Sequence, residues 1–91
     1  MRGKKRSKDK QLLIHARRRL RERFGLYLHP NHLVQRILEG DAQFLEKQSN
    51  RVTVWRVLHN DTPIICFYDK SRKRLVTVIT QDMYDEGERD E

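Results

Sequence analysis

Three residues whose side chains can act on a phosphodiester are regularly spaced near the start of this 91-residue chain. His15, Arg19 and Arg23 are four residues apart, so they would lie in one row along a helix. An imidazole can move a proton near neutral pH, and guanidinium groups can stabilise the negative charge of a pentacoordinate phosphorane. The row therefore suits metal-free phosphodiester cleavage. The alternative is an amphipathic helix with a solvated basic flank, and the spacing alone slightly favours that alternative.

The helix that would carry this row is predicted from about Asp9 to Phe24, and Gly25 follows it as a helix stop. Apolar residues recur in it every four positions, at Leu12, Ala16, Leu20 and Phe24. The histidine and arginine row falls at the edge of this apolar stripe, where a helix meets the sheet on which it packs. Other arginines point further outward and suit plain contacts to phosphates: Arg17, Arg18 and Arg21.

A second helix is predicted from about Pro30 to Glu39, since proline is typical of helix starts and glycine of helix ends. The apolar pattern then changes to the alternation that is typical of strands. A short edge strand is expected over Ala42 to Lys47, followed by strands over Arg51 to Leu58, Thr62 to Tyr68 and Arg74 to Thr80. The predicted fold class is α+β, with two N-terminal helices packed on a three- to four-stranded antiparallel sheet.

Charge is distributed unevenly along the chain. The net charge is +7, and residues 1–24 carry eleven Lys and Arg against two acids, whereas residues 82–91 carry six acids against one Arg. A concentrated positive charge attracts phosphate backbones, and such binding weakens steeply with salt. A solubilising tail is the alternative. We expect a disordered basic arm over residues 1–8, a single domain over residues 9–80 and a disordered acidic tail over residues 81–91.

Several chemistries find no support in the sequence. Cys66 is the single cysteine, so no intramolecular disulfide or cysteine-based zinc site is expected, and its apolar surroundings predict a buried side chain. His29, His32 and His59 have no carboxylate at metal-ligand spacing, so neither a metal nor another cofactor is expected. No apolar stretch has the length of a membrane span, and no signal-peptide pattern precedes the first helix. A cytoplasmic protein without a membrane partner is therefore predicted.

Two aromatic residues of the strands, Trp55 and Tyr68, could stack on a base, although packing is the commoner role of such residues. Arg51 and Arg56 could help the helix to stabilise a phosphorane. The residues predicted to bind nucleic acid are Lys4, Lys5, Arg6, Arg17, Arg18, Arg21, Arg51, Arg56, Tyr68 and Lys70.

Two segments of the chain resemble small RelE-like proteins, which belong to the barnase–EndoU–colicin–RelE class of metal-independent ribonuclease folds. The first segment runs from His15 to Leu26 (HARRRLRERFGL), and the second joins the run Phe67-Tyr68-Asp69-Lys70 to the strand from Arg74 to Ile79. The resemblance covers roughly residues 12–80 and implies an α+β domain whose sheet and first helix frame an RNA groove. It implies catalytic roles for the residues that match recurrent polar positions of the family: His15, Arg19, Arg23 and Thr77.

The first hypothesis is a toxin-like, metal-independent endoribonuclease of phage or bacterial origin, in which the 2′-OH of RNA attacks its own phosphodiester. His15 would move the proton, while Arg19 and Arg23 would stabilise the phosphorane. The expected partners are RNA, on the ribosome or as tRNA, and an antitoxin or a host protein. The alternative is a non-catalytic module on the same fold that binds nucleic acid or a host protein. A third interpretation is an inhibitor that meets its partner through the acidic tail.

Overall fold

The structure, a computed structural model, describes residues 8–87 and confirms the α+β fold class. Two N-terminal helices precede a four-stranded antiparallel sheet. Among the described residues, no helix is long and apolar enough to cross a membrane. The elements are, in chain order, α1 (Lys8–Phe24), α2 (Pro30–Leu38), β1 (Gln43–Lys47), β2 (Val52–His59), β3 (Thr62–Asp69), β4 (Arg74–Thr80) and α3 (Gln81–Asp85).

Local caps define the ends of both N-terminal helices. Gly25 follows α1 with a φ of +67°, and Gly40 lies just after α2 with a φ of +82°, a conformation that is unfavourable for residues with a Cβ. At the start of α2, the Nδ1 atom of His29 accepts a hydrogen bond from the Asn31 amide at 3.0 Å. Pro30 occupies the first helical turn, where its missing N–H is not needed.

The four strands form a single meander in the order β1-β2-β3-β4, so that β1 and β4 are the edge strands. The β2–β3 hairpin turns through Asn60 and Asp61, whose φ angles of 51° and 66° are those of a two-residue hairpin loop. The register pairs Tyr68 with both Thr53 and Leu75. Extra residues interrupt the register in β1 and in β4, and such bulges increase the local twist of a strand.

Hydrophobic clusters cover both faces of the sheet. Strand β3 contributes to both clusters because its successive side chains point to opposite faces. The first cluster joins the sheet to α1 and α2 through Ala16, Leu20, Leu33, Val34, Ile37, Val57, Ile64, Cys66, Tyr68, Leu75 and Val78. The second cluster lies on the other face, where α3 contributes Met83 and Tyr84 to the margin of Val54, Ile65, Phe67 and Ile79. Cys66 is fully buried, as predicted, and burial raises the pKa of its thiol far above the ordinary value.

The structure differs from the sequence prediction after residue 80. Disorder was expected from residue 81, whereas Gln81–Asp85 form α3. The Thr80 hydroxyl caps this helix by accepting a hydrogen bond from the Met83 amide at 3.1 Å. The Tyr84 hydroxyl donates to Glu46 Oε2 at 2.8 Å. Contacts with the sheet therefore stabilise a helix that is too short to form alone.

The two charged ends of the chain are described only in part. The basic arm predicted over residues 1–8 lies outside the described residues, apart from Lys8 at the start of α1. Residues 88–91 of the predicted acidic tail also lie outside them.

Candidate nucleic-acid interface

Helix α1 presents three arginines to solvent, as the sequence predicts. Arg17, Arg18 and Arg21 are exposed, whereas Ala16 and Leu20 of the same helix are fully buried. At 100° per residue, Arg18 lies on the outermost line of the helix, and Arg17 and Arg21 lie together on one flank. We call these three side chains the arginine face. They can contact phosphates without any rearrangement of the core.

Tyr27 extends the arginine face from the segment between α1 and α2. Its side chain is 83% exposed, because Leu26 and Leu28 on either side turn into the first cluster and extended chain alternates in direction. The guanidinium carbon of Arg21 lies 6.0 Å from the centre of the Tyr27 ring, within the range of cation–π attraction. Arg17, Arg21 and residues 26–28 line a shallow depression of about 220 Å³.

Tyr27 is not among the residues predicted to bind nucleic acid. The available signal was the Leu26-Tyr27-Leu28 triplet, since two apolar residues that turn inward leave the middle residue pointing outward. Only the packing of both leucines beside α1 shows that this ring lies next to the arginines.

The predicted catalytic arginines lie on the other flank of α1, and both contact the protein itself. The Arg19 Nη1 atom donates a hydrogen bond to Glu22 Oε1 at 2.7 Å. The Arg23 Nη1 atom donates to the carbonyl oxygen of Val78, at 2.9 Å, in the edge strand β4. Arg23 therefore attaches the end of α1 to the sheet, which is a structural role that the spacing did not reveal.

His15 lies on the same helix in a half-buried position. It borders a shallow depression together with Gln11, Ile14 and Arg18. His15 and Arg17 are two residues apart and hence about 200° apart around the helix. A ligand on the Tyr27 side of α1 would have to pass over Arg18 to reach the imidazole.

The structure does not bring Thr77 to the predicted catalytic row. Thr77 is fully buried, and it pairs with Phe67, which belongs to the second cluster. Cross-strand partners share a face of the sheet, so Thr77 lies on the face opposite α1. Its hydroxyl oxygen has no hydrogen-bond partner among the described residues. Thr77 has no exposed surface with which to contact a substrate, so its position does not support the catalytic role predicted for it.

The two strand arginines predicted to bind nucleic acid contact other side chains of the protein. Arg51 Nη2 donates to Asp69 Oδ2 at 2.9 Å, although about half of the arginine side chain is exposed. Arg56 donates to Gln43 and, at 3.1 Å, to Gln81 Oε1. These contacts link neighbouring elements and leave both guanidinium groups less available to a phosphate than those of the arginine face.

Tyr68 is buried, so its position does not support the stacking on a base that was predicted for it. It is 5% exposed within the first cluster, and burial, together with the charge of Asp69, raises the pKa of its phenol. Trp55 is half-buried, packs edge-on against Phe44 and donates its indole N–H to the Thr53 hydroxyl at 2.8 Å. Both aromatic residues therefore serve in packing.

Asp69 organises the turn between β3 and β4, and Lys70, predicted to bind nucleic acid, is exposed in this turn. Asp69 is 3% exposed, and its carboxylate accepts hydrogen bonds from the amides of Ser71 and Arg72 at 2.9 and 3.0 Å. Burial acts to raise the pKa of Asp69. The hydrogen bonds from Arg51 and from the turn amides, together with the Arg51 charge, outweigh burial and lower the pKa below its ordinary value.

Lys4, Lys5 and Arg6 lie outside residues 8–87. Within that range, no group of three or more His, Cys, Asp or Glu side chains could hold a metal ion. Comparison with known proteins finds no matching family model, no matching curated sequence and no matching solved structure.

Proposed function

We propose that this protein binds single-stranded RNA on the arginine face and on Tyr27. The observation that carries the proposal is the exposed Tyr27 ring beside Arg17 and Arg21. Proteins that bind single strands combine aromatic rings, on which bases stack, with cations that contact the phosphates.

Support for a single strand comes from the geometry of stacking. Both faces of a base in a duplex are covered by neighbouring bases, so such a base is not available to a tyrosine ring. Unpaired bases of RNA occur in loops, bulges and ends, and aromatic and arginine side chains recognise them there. We therefore expect the protein to prefer unstructured RNA over duplexes.

Replacement of Tyr27 tests the stacking contact. Tyr27→Ala is expected to weaken binding of an unstructured RNA oligonucleotide about tenfold or more, because one stacked base contributes about 1–3 kcal/mol. Tyr27→Phe keeps the ring and should bind within about twofold of the parent. Fluorescence anisotropy titrations at one salt concentration measure both. Equal affinities of the parent and Tyr27→Ala would refute the proposal.

Replacement of the arginines tests the phosphate contacts. Each phosphate contact on a single strand contributes about −0.7 to the slope of log K against log salt concentration. Arg17→Gln with Arg21→Gln should therefore make the slope shallower by about 1.4. Lys47→Gln, on the far edge strand β1, is the matched control and should leave the slope nearly unchanged. A preference for duplex RNA over the single strand would also count against the proposal.

A RelE-like, metal-independent endoribonuclease is the second candidate. The observation that favours it is the position of His15 beside Arg18, where a strand held on the arginine face could approach the imidazole. Total RNA incubated with the protein in EDTA should then be cleaved, and His15→Ala should lower the rate about 10²–10⁴-fold. Intact RNA together with salt-sensitive binding would leave binding as the function.

A further inference from the structure

We infer that the bound strand continues from Tyr27 over the start of α2 to the β3–β4 turn, where Lys73 and Arg74 contact further phosphates. This inference rests on the proposed function, because it extends the same RNA site. It assigns a binding role to two residues that neither the sequence pattern nor the arginine face includes.

The start of α2 connects the two ends of this path. Asn31 follows Tyr27 by four residues, so their Cα atoms are at most about 14 Å apart. The Arg74 Nη1 atom donates a hydrogen bond to Asn31 Oδ1 at 3.5 Å. Residues 25–34 contain no acidic side chain, so this segment itself carries no negative charge that would repel a phosphate backbone. The turn is thus within reach of a strand only a few nucleotides long.

The β3–β4 turn carries several positive charges, and few of them are paired with acidic groups of the described protein. Residues 70–74 include four basic side chains and no acid, and Lys70 and Lys73 are exposed. Arg72 makes one long ion pair, at 3.3 Å, with Asp9. Since a guanidinium group has five N–H donors, Arg72 and Arg74 each retain donors that the described protein does not use.

The backbone of the turn is held in place before any ligand binds. The buried Asp69 carboxylate accepts from two turn amides, and the Lys73 amide donates to the Asp69 carbonyl oxygen at 2.7 Å. A turn that is already ordered loses little conformational entropy on binding. Lys73 also has a φ of +58°, a left-handed conformation in which glycine is less strained. A lysine at this position suggests that its charge is used.

The length of the RNA separates this inference from the proposed function. Lys73→Gly with Arg74→Gln should weaken binding of an unstructured RNA of about twelve nucleotides roughly tenfold, and should make the salt slope shallower by about 1.4. Binding of an RNA of about three nucleotides, which can occupy only the Tyr27 end, should stay within about twofold. Glycine removes strain at position 73, so the variant should fold, and thermal unfolding checks this. Lys47→Gln is again the matched control.

Binding of the long and the short RNA distinguishes a failure of the extended path from a failure of the proposed function. Unchanged binding of the longer RNA by the turn variant overturns the extended path. An equal loss on both lengths also overturns it, because the turn would then not act through added nucleotides. The proposed function is tested separately by Tyr27→Ala on the short RNA: a loss there, with no effect of the turn variant on the long RNA, retains the proposed site and removes only its extension.

Discussion

A hydroxyl group without a hydrogen-bond partner is uncommon in a protein core, and Thr77 carries one among the described residues. Burial of such a group costs about 1–3 kcal/mol. Valine has nearly the same shape and no hydroxyl, so it should suit the position better. Thr80, three residues later in the chain, uses its hydroxyl to cap α3 and is the natural comparison.

At the residue scale, Thr77→Val is expected to raise the free energy of unfolding by about 1 kcal/mol and to leave RNA affinity unchanged. Thr80→Val, which loses the cap, should lower the free energy of unfolding by about 1 kcal/mol. Urea denaturation followed by circular dichroism measures both. A lower stability of Thr77→Val would show that the hydroxyl has a partner. A loss of RNA cleavage in that variant would restore a role for Thr77 in chemistry.

At the scale of elements, the β3–β4 turn shows how one buried carboxylate organises a basic loop. Asp69 joins the start of β2, through Arg51, to the amides of the turn. Its pKa is lowered, so the carboxylate stabilises the fold at neutral pH, and this contribution is lost as the pH falls from about 4 through the lower pKa of the folded state. The same contacts hold Lys73 in its left-handed conformation.

Asp69→Asn is expected to lower the free energy of unfolding at pH 7 by about 1–2 kcal/mol, since it weakens hydrogen bonds to a buried group. The difference from the parent should shrink as the pH falls below about 4, because the unfolded parent then takes up a proton at this carboxylate, and it should vanish only below the lower pKa of the folded state. Asp61→Asn, in the exposed β2–β3 turn, is the control and should change stability by less than about 0.5 kcal/mol. Urea denaturation between pH 3 and pH 7 distinguishes them. A difference that stays constant over this range would contradict the role of the Asp69 charge.

At the scale of the whole molecule, the arginine face and the acidic helix α3 lie on different sides of the sheet. The arginine face belongs to α1, which packs on one face. The acidic α3 packs on the other through Met83 and Tyr84. Within residues 8–87, α3 therefore does not cover the proposed RNA site. Its contribution is to shield the second cluster from water.

A chain that ends at Gln81 should consequently unfold roughly 10 °C below the parent, because it loses the packing of Met83 and Tyr84, worth about 2 kcal/mol. A chain that ends at Gly87 keeps α3 and should unfold within about 2 °C of the parent. Thermal unfolding followed by circular dichroism measures this, and both chains should still bind RNA below their melting temperatures. Loss of a protein partner by the Gly87 chain would instead favour the inhibitor interpretation.

The sequence by itself determined the order of the elements from α1 to β4 and most of their bounds, whereas it predicted disorder where α3 forms. Apolar residues every four positions predict α1, alternation predicts the strands, and Asn60-Asp61 predicts the β2–β3 hairpin. These signals are local, since helix period, strand alternation and turn chemistry depend on residues only a few positions apart. The same local reasoning placed Arg17, Arg18 and Arg21 on the outside of α1.

The tertiary structure decided which of the chemically capable residues are accessible. Thr77 and Tyr68 are buried because the sheet is covered on both faces, and strand alternation alone does not tell whether the second face is covered. Arg23 donates a hydrogen bond to the carbonyl oxygen of Val78, a residue 55 positions away in the chain. Tyr27 meets Arg21 only because the segment after α1 packs back along the helix. Long-range packing, which no local pattern encodes, thus determines where this protein can meet a ligand.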